Sequence, residues 1–387
     1  MSNNKIKVCF AAGEFYPTLG GLSKSATRIA KFLSSSGFEM HVVVPVQNTE
    51  TTDIIKPEIY DDLLVYRIHI GEDVQKSNGL YLTNAIRKLD NLINFDLFHG
   101  FFLSMSFACS LAIKNNPRPL ISSLRGSDAQ FWSEPRMYNM LGVILKYTSC
   151  LTTVNNALLN VLLRNTDMKV NTKFIKNSIE SNSKSKWRLE TLNDRAVGTL
   201  GKFQKKKEIN VLLDSFYEID AQMESKLFLV GDFPNHNLKD SYHKKVEALQ
   251  LEQKTILTGF VNKPDVINYL TQLSVFVNTS SSEGFPNAVL EAASLGIPLV
   301  LASFDGIEDY CEHNKNALIV PVRDVKSTSK AIISILSNKK LARRLSKGAT
   351  DLAKSLTPEK EKEQWVKLYR DILKKKKKTH QLNKYYV

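Results

Sequence analysis

Strand-length apolar runs alternate with helix-length amphipathic stretches along nearly the whole chain, and the alternation starts twice. The first start is residues 5–13, KIKVCFAAG, followed by the loop EFYPTLGG. A helical pattern comes next, LSKSATRIAKFLSSSGF, with Leu22, Ala26, Ile29, Ala30 and Leu33 on one side, and then the strand MHVVVP. Strand, glycine loop, helix, strand is a parallel α/β unit with a right-handed crossover. LLVYRIH, DLFH, LISSL and CLTTV continue it as further strands. The second start is AVGTLGKF, with the helix EINVLLDSFYEI and the strands KLFLVGD, KTILTGF, SVFVNTS, IPLVLAS and NALIVPV after it. Between the two, residues 178–194 are polar and serine-rich, the expected place for a linker. A chain of 387 residues exceeds what one core usually organises, so two doubly wound α/β domains are expected. From Val325 the pattern is helical, ending in a stripe of Trp365, Leu368, Tyr369 and Ile372 and a lysine run at 374–378 expected to fray into solvent.

The formal net charge of +14 calls for an anionic partner: nucleic acid, a membrane face or a phosphorylated small molecule. Nucleic acid fits poorly, because the lysines are spread over helices and a tail without aromatic–basic interleaving or a recognition-helix pattern. Cys9, Cys109, Cys150 and Cys311 are scattered, without CxxC spacing or clustered histidines, so buried free thiols and no metal site are expected. The opening MSNNKIKVCFAAG passes straight into a strand without a leader pattern, and no run approaches 18 apolar residues. A cytoplasmic chain is expected.

Several loops at strand ends carry chemistry. Gly20 and Gly21, between the first strand and its helix, permit a tight turn or a ligand's close approach to backbone N–H groups. His99 in FHGFF and Arg125 and Asp128 in LRGSD follow strands whose ends open on a binding edge in this architecture. Each reads equally as a ligand contact or as ordinary local structure. Lys202 follows a strand, and the lysines at 205–207 precede a helix, a placement that suits a diphosphate. The most informative stretch is SSSEGFPNAVLEAASLGIP, where Glu283 precedes a turn and Glu291 sits one turn into an apolar helix pattern. A helix N-terminus there offers free N–H groups to a phosphate, and Pro286 is tolerated at such a start. Two carboxylates bracketing an anion cradle suit a ligand with hydroxyls at both ends, which describes a nucleotide sugar.

That stretch resembles the E-x7-E signature of retaining GT-B glycosyltransferases of family 4. Other elements of the family follow in order: Gly20-Gly21 as the N-terminal glycine loop, FIKNSIE before the linker, and GKFQKKKEINVLL, LFLVGDFP, TGFV, GIPLVLASFDGIEDY and NALIVPVRD in the second half. The resemblance implies two Rossmann-like domains facing a central cleft. Its domains would span 1–180 on the acceptor side and 196–356 on the donor side, with a linker at 181–195. A helix at 357–373 would pack back on the first domain, ahead of a basic tail at 374–387. Carried over by position, Glu291 would bind the nucleotide ribose and Glu283 the donor sugar hydroxyls. Lys202 and Lys207 would meet the diphosphate, with Gly21 adding backbone N–H, and the backbone of Gly284, Phe285, Pro286 and Asn287 would contact sugar and phosphate. Arg125 stands where many members carry a histidine, so that histidine's role is not carried over.

The resemblance further implies transfer of a sugar from a nucleoside diphosphate to an acceptor hydroxyl with retention, by a front-face route, without a cofactor or required metal. Bacterial surface polysaccharide synthesis is the expected setting. The acceptor would be a saccharide, lipid-linked in some members, reached at an anionic membrane face. Residues 131–147, FWSEPRMYNMLGVILKY, are aromatic, basic and apolar, and fit either that membrane contact or a helix packed on the sheet. The alternatives are a noncatalytic carbohydrate- or nucleotide-sugar-binding protein and a GT-B nucleotide-sugar epimerase.

Overall fold

A computed structural model describes residues 5–18, 20–46, 57–69, 74–126, 132, 134–164, 166–180 and 186–383; side chains at 74–79, 136 and 376–383 fall outside that description. The chain divides into two units, Met1–Asn177 with Glu359–Val387, and Ser178–Pro358.

The first unit is an eight-stranded sheet. Its strands are β1 (Ile6–Ala12), β2 (Phe38–Val46), β3 (Glu58–Tyr60), β4 (Leu63–His69), β5 (Leu97–Phe101), β6 (Leu120–Leu124), β7 (Thr148–Thr153) and β8 (Thr172–Phe174). They lie in the order β3-β4-β2-β1-β5-β6-β7-β8, parallel except for β3, which runs antiparallel to β4. Successive side chains of a strand face opposite sides of the sheet, so β1 feeds two cores. Val8, Phe10 and Ala12 pack with Ala26, Ile29 and Leu33 of the helix Gly21–Ser34. Cys9 and Ala11 pack with Leu82, Ile86 and Leu89 of the helix Val74–Ile93 and with Cys109 of the helix Leu103–Ala112.

The chain's last helix, Pro358–Asn383, completes the first of these cores with Trp365, Val366, Leu368, Tyr369 and Ile372. Glu361, only 2% exposed, takes two hydrogen bonds from Arg28, at 2.9 and 3.2 Å. The helical backbone runs through the lysine run to Asn383, where fraying was expected. All four cysteines are buried and free. The helix Tyr138–Tyr147 buries Leu141, Ile144 and Leu145 against Leu103, Leu124, Trp132 and Leu158. Its apolar side is therefore spent on the core, which is the packed-helix reading of the two that the sequence left open.

The second unit is a six-stranded, all-parallel sheet of β9 (Ala196–Lys202), β10 (Lys226–Asp232), β11 (Thr255–Leu257), β12 (Val275–Asn278), β13 (Leu299–Ala302) and β14 (Leu318–Val320). The order is β11-β10-β9-β12-β13-β14, so the chain reverses its direction of winding between β9 and β12. In doubly wound sheets that reversal opens a crevice at the carboxyl ends of the two strands. Part of the expected linker belongs to this unit's core: Leu192 is buried there, and Trp187 and Leu189 pack against it. The serine-rich composition of that stretch concealed Leu189 and Leu192, spaced for the short turn of helix at Leu189–Asn193, and Trp187 just before it.

At the ends of β9 and β10 the backbones come unusually close. Gly231 has φ +133°, and a Cβ there would lie 1.9 Å from the carbonyl oxygen of Gly201, itself at φ +148°. Gly231→Ala combines a backbone clash with an unfavourable φ, and is expected to cost about 3 kcal/mol. Urea unfolding monitored by circular dichroism should show the lowered midpoint.

Candidate active site

At the reversal of the second sheet, two loops are stitched together by their own polar groups. β9 ends at Lys202, and a 3-10 turn, Lys205–Lys207, leads through left-handed Glu208 (φ 48°) into the helix Ile209–Asp220. On the other side, β12 ends at Asn278. Thr279 Oγ1 donates to the carbonyls of Lys207 and Glu208 at 2.9 and 3.2 Å, and Ser281 N–H donates to the carbonyl of Lys206 at 2.8 Å. These bonds fix the two loops as one surface.

Lys207 and Glu283 meet on that surface. Lys207 Nζ donates to Glu283 Oε1 at 2.5 Å, and Ser280 Oγ donates to the same oxygen at 2.8 Å. Oε2 receives no hydrogen bond among the described residues. Glu283 is 8% exposed. Burial pushes its carboxyl pKa up, but the charge and hydrogen bond of Lys207, the charge of Lys206 and the bond from Ser280 outweigh burial, and the net pKa lies below the usual value. The carboxylate is thus ionised and held in place.

The helix Asn287–Ser294 starts just beyond, with Pro286 at its N-cap and no side-chain cap. The first N–H groups of a helix lack intrahelical acceptors, and this end carries partial positive charge. Phe285 anchors the turn: its ring is buried edge-on against Tyr310, with centroids 4.9 Å apart. Val289, Leu290, Ala292 and Ala293 are buried, whereas Glu291 is half-buried on the remaining side. Gly284 and Asn287 are half-buried. Lys202 is exposed at the end of β9 and makes no ion pair among the described residues. Residues 202, 207, 283–287 and 291 therefore all belong to this one unit, at the end of β9, in the segments that follow β9 and β12, and in the helix Asn287–Ser294.

The sequence reading missed two supporting groups. Ser280 bonds Glu283 and Thr279 bonds the carbonyl of Lys207, and the only advance signal was the hydroxyl run NTSSSE ahead of Glu283. Among the described residues, no group of three or more His, Cys, Asp or Glu is placed to hold a metal ion.

In the first unit the expected contacts separate. Gly20 caps the helix Gly21–Ser34 in extended conformation without a side-chain cap, and a Cβ on it would come within 3.3 Å of Glu14 Oε2. Gly21 is the helix's first residue and is exposed. Arg125, at 9% exposure, donates to Asn177 Oδ1 at 2.6 Å and lies over the Phe101 ring, while Asn177 Nδ2 reaches Ser25 Oγ at 3.3 Å. His99 is not a ligand contact. It is fully buried, with Nδ1 bonded to Tyr369 Oη and Nε2 to Ser123 Oγ, each at 2.6 Å. Burial and the nearby charge of Arg125 hold its pKa well below the ordinary value, so it is a neutral core histidine. Asp128 lies outside the described residues.

The two doubly wound units define the fold class GT-B. Residues 181–352, all inside the second unit, match the family described as Glycosyl transferases group 1. The second unit therefore carries that family's segment, in line with a GT-B glycosyltransferase of family 4. It is 20% identical over 376 residues to the N-acetyl-alpha-D-glucosaminyl L-malate synthase of Bacillus anthracis, covering 93% of this chain and 96% of that protein. The capsular polysaccharide biosynthesis glycosyltransferase CapM of Staphylococcus aureus is 26% identical over 43% of this chain and 44% of its own length. Among solved structures, HepE of Anabaena in complex with UDP and glucose superposes with a TM-score of 0.76 at 16% identity, over 94% of this chain and 99% of that one.

Removing Lys207 leaves Glu283 buried without its cation, so Lys207→Met is expected to lower stability by about 3 kcal/mol. Lys207→Met with Glu283→Leu should cost less than Lys207→Met alone, because the stranded charge is gone. Because the folded pKa of Glu283 is depressed, the pair's contribution is present above the unfolded carboxylate's pKa of about 4.3 and is lost as pH falls through the lower folded value. Urea titrations of the three proteins at pH 7 and in the acid range measure both effects.

Proposed function

We propose that the second unit binds a nucleoside-diphosphate sugar at the β9–β12 reversal, and that the enzyme transfers the sugar, with retention, to a hydroxyl of a saccharide acceptor in bacterial surface polysaccharide synthesis. The observation that carries this reading is the Lys207–Glu283 pair beside an uncapped helix start at the sheet's switch point. The donor is placed by charge. Lys207, with Lys206 and Lys202 nearby in the loop, offsets the diphosphate, and the first N–H groups of the helix Asn287–Ser294 receive its oxygens. Glu291, one turn into that helix, accepts from the ribose hydroxyls, while Oε2 of Glu283 accepts from a hydroxyl of the sugar.

Each group acts on a stated stage of the reaction. As the bond between the anomeric carbon and the diphosphate oxygen breaks, negative charge grows on the leaving oxygen. Lys207 is already oriented by Glu283 and needs no reorganisation to stabilise that charge, which is where such preorganised groups lower a barrier most. The acceptor hydroxyl attacks from the same face, and its proton passes to the departing diphosphate. Glu283, ionised and doubly hydrogen-bonded on one oxygen, serves as a positioning and electrostatic group rather than as a proton donor. The epimerase alternative would look to an acid–base histidine. His99, enclosed with both ring nitrogens bonded, does not supply one.

The surplus of 53 Lys and Arg over 39 Asp and Glu supports a lipid-linked acceptor presented at an anionic membrane face. The capsular relative and the family match of the second unit support the polysaccharide setting.

Thermal unfolding in the presence of UDP, GDP and their sugar derivatives tests the donor site. The cognate nucleoside diphosphate at about 100 times its Kd should add about 2.7 kcal/mol, a shift of several degrees. Glu291→Ala should reduce that shift, measured from the variant's own ligand-free midpoint. Absence of stabilisation by both nucleotide series would contradict the reading.

A further inference from the structure

The helix Val74–Ile93 presents a face to solvent that neither core uses. Its inner side is spent: Leu82, Ala85, Ile86 and Leu89 are buried. On the outer side, Leu80 is 64%, Tyr81 57% and Leu92 80% exposed. Positions 80, 81, 84, 87, 88, 91 and 92 are all exposed, and at a helical repeat they form one continuous stripe. The polar members are Asn84, Arg87, Lys88 and Asn91, so among its described side chains the stripe holds two cations and no carboxylate. The helix's described acidic residue, Asp90, is half-buried and paired with Arg118. Arg87 reaches over to the carbonyl of Leu111 at 2.7 Å, next to the end of the helix Leu103–Ala112, where Lys114 is also exposed. Neither Arg87 nor Lys88 has an acidic partner among the described residues.

Large apolar side chains flanking cations, in a stripe from Leu80 to Leu92 that is free of negative charge, match an interfacial surface. Leucines enter the boundary between headgroups and acyl chains, the tyrosine sits at headgroup level, and the lysine and arginine stems extend to phosphate. We propose that the outer face of the helix Val74–Ile93 is the surface by which this enzyme docks on an anionic lipid membrane. Charge complementarity selects the occupant: a protein partner of similar apolarity would have no need of a stripe empty of carboxylates. No described helix is long and apolar enough to cross a membrane, so this contact is peripheral. The inference rests on the membrane-acceptor part of the proposed function. It places that contact on this helix and not on residues 131–147.

The test is co-sedimentation of the full chain with vesicles of phosphatidylcholine alone and of phosphatidylcholine with phosphatidylglycerol. Three variants change the net charge by the same amount: Leu80→Glu with Leu92→Glu, Lys88→Glu, and Lys339→Glu on an exposed site of the other unit. Wild type is expected to bind the anionic vesicles and to bind neutral ones at least tenfold more weakly. The double leucine variant should lose about tenfold or more on the anionic vesicles, Lys88→Glu several-fold, and Lys339→Glu little. Equal losses in all three variants would reduce the binding to net charge and overturn the proposal, as would unchanged binding in the leucine variant. Gel filtration closes the remaining route: self-association of the wild type that the leucine variant abolishes, without vesicle binding, would assign the face to a second copy of this chain and also overturn it. Nucleotide-dependent thermal shifts on the same variants separate the two readings. A retained shift with lost vesicle binding isolates the membrane face, whereas a missing shift in every protein indicts the donor site and leaves the vesicle result standing.

Discussion

The ion pair between Lys207 and Glu283 is the interaction on which the reading of the second unit depends. Taking a carboxylate and an ammonium out of water costs several kcal/mol per ion, and such a pair seldom stabilises a fold more than apolar residues of similar size would. Here the cost is offset only because several independent features converge. The strand order brings the loops after β9 and β12 together. Thr279 and Ser281 bond to the carbonyls of residues 206–208 and lock them. Ser280 and the charge of Lys206 add to Lys207 in holding Glu283 ionised. A charged pair kept at this expense, at the one place in the sheet where ligands are expected, is more readily explained by work on a ligand than by stability.

The first unit solves a different problem. At the middle of its sheet lies a neutral hydrogen-bonded chain: His99 between Tyr369 and Ser123, and Ser123 in turn bonded to Thr152 at 2.6 Å. The last helix supplies Tyr369 to that chain and packs the Trp365 ring against His99, so this unit's core joins segments far apart in the sequence. Arg125 is a buried cation at the end of β6, beside Phe101 and Asn177. Its charge is one reason the neighbouring histidine stays neutral.

The architecture was legible because it rests on periodicity. Buried parallel strands read as continuous apolar runs, and KIKVCFAAG and SVFVNTS correspond to β1 and β12. β3, three residues long with Glu58 and Ile59 exposed, leaves no such trace and was missed. Trp187, Leu189 and Leu192 were hidden by polar neighbours, because three apolar anchors suffice to dock a segment whose composition resembles a linker. The pairing of Glu283 with one lysine out of three was also invisible. Lys205, Lys206 and Lys207 are identical in type and adjacent, and only the 3-10 turn decides which of them faces the carboxylate. His99 misled because a strand end in a doubly wound sheet is an apt place for a ligand contact. The tyrosine that occupies its ring nitrogen comes from 270 residues away, where no local pattern announces it.

The central claim is that these cations and helix N–H groups are built for a diphosphate. Calorimetric titration with the nucleoside diphosphate and the nucleoside monophosphate of the same base isolates that contribution. The account predicts at least a tenfold tighter Kd for the diphosphate, and a loss of most of that difference in Lys207→Met. Equal affinity for the two nucleotides, or a difference that survives in Lys207→Met, would contradict it.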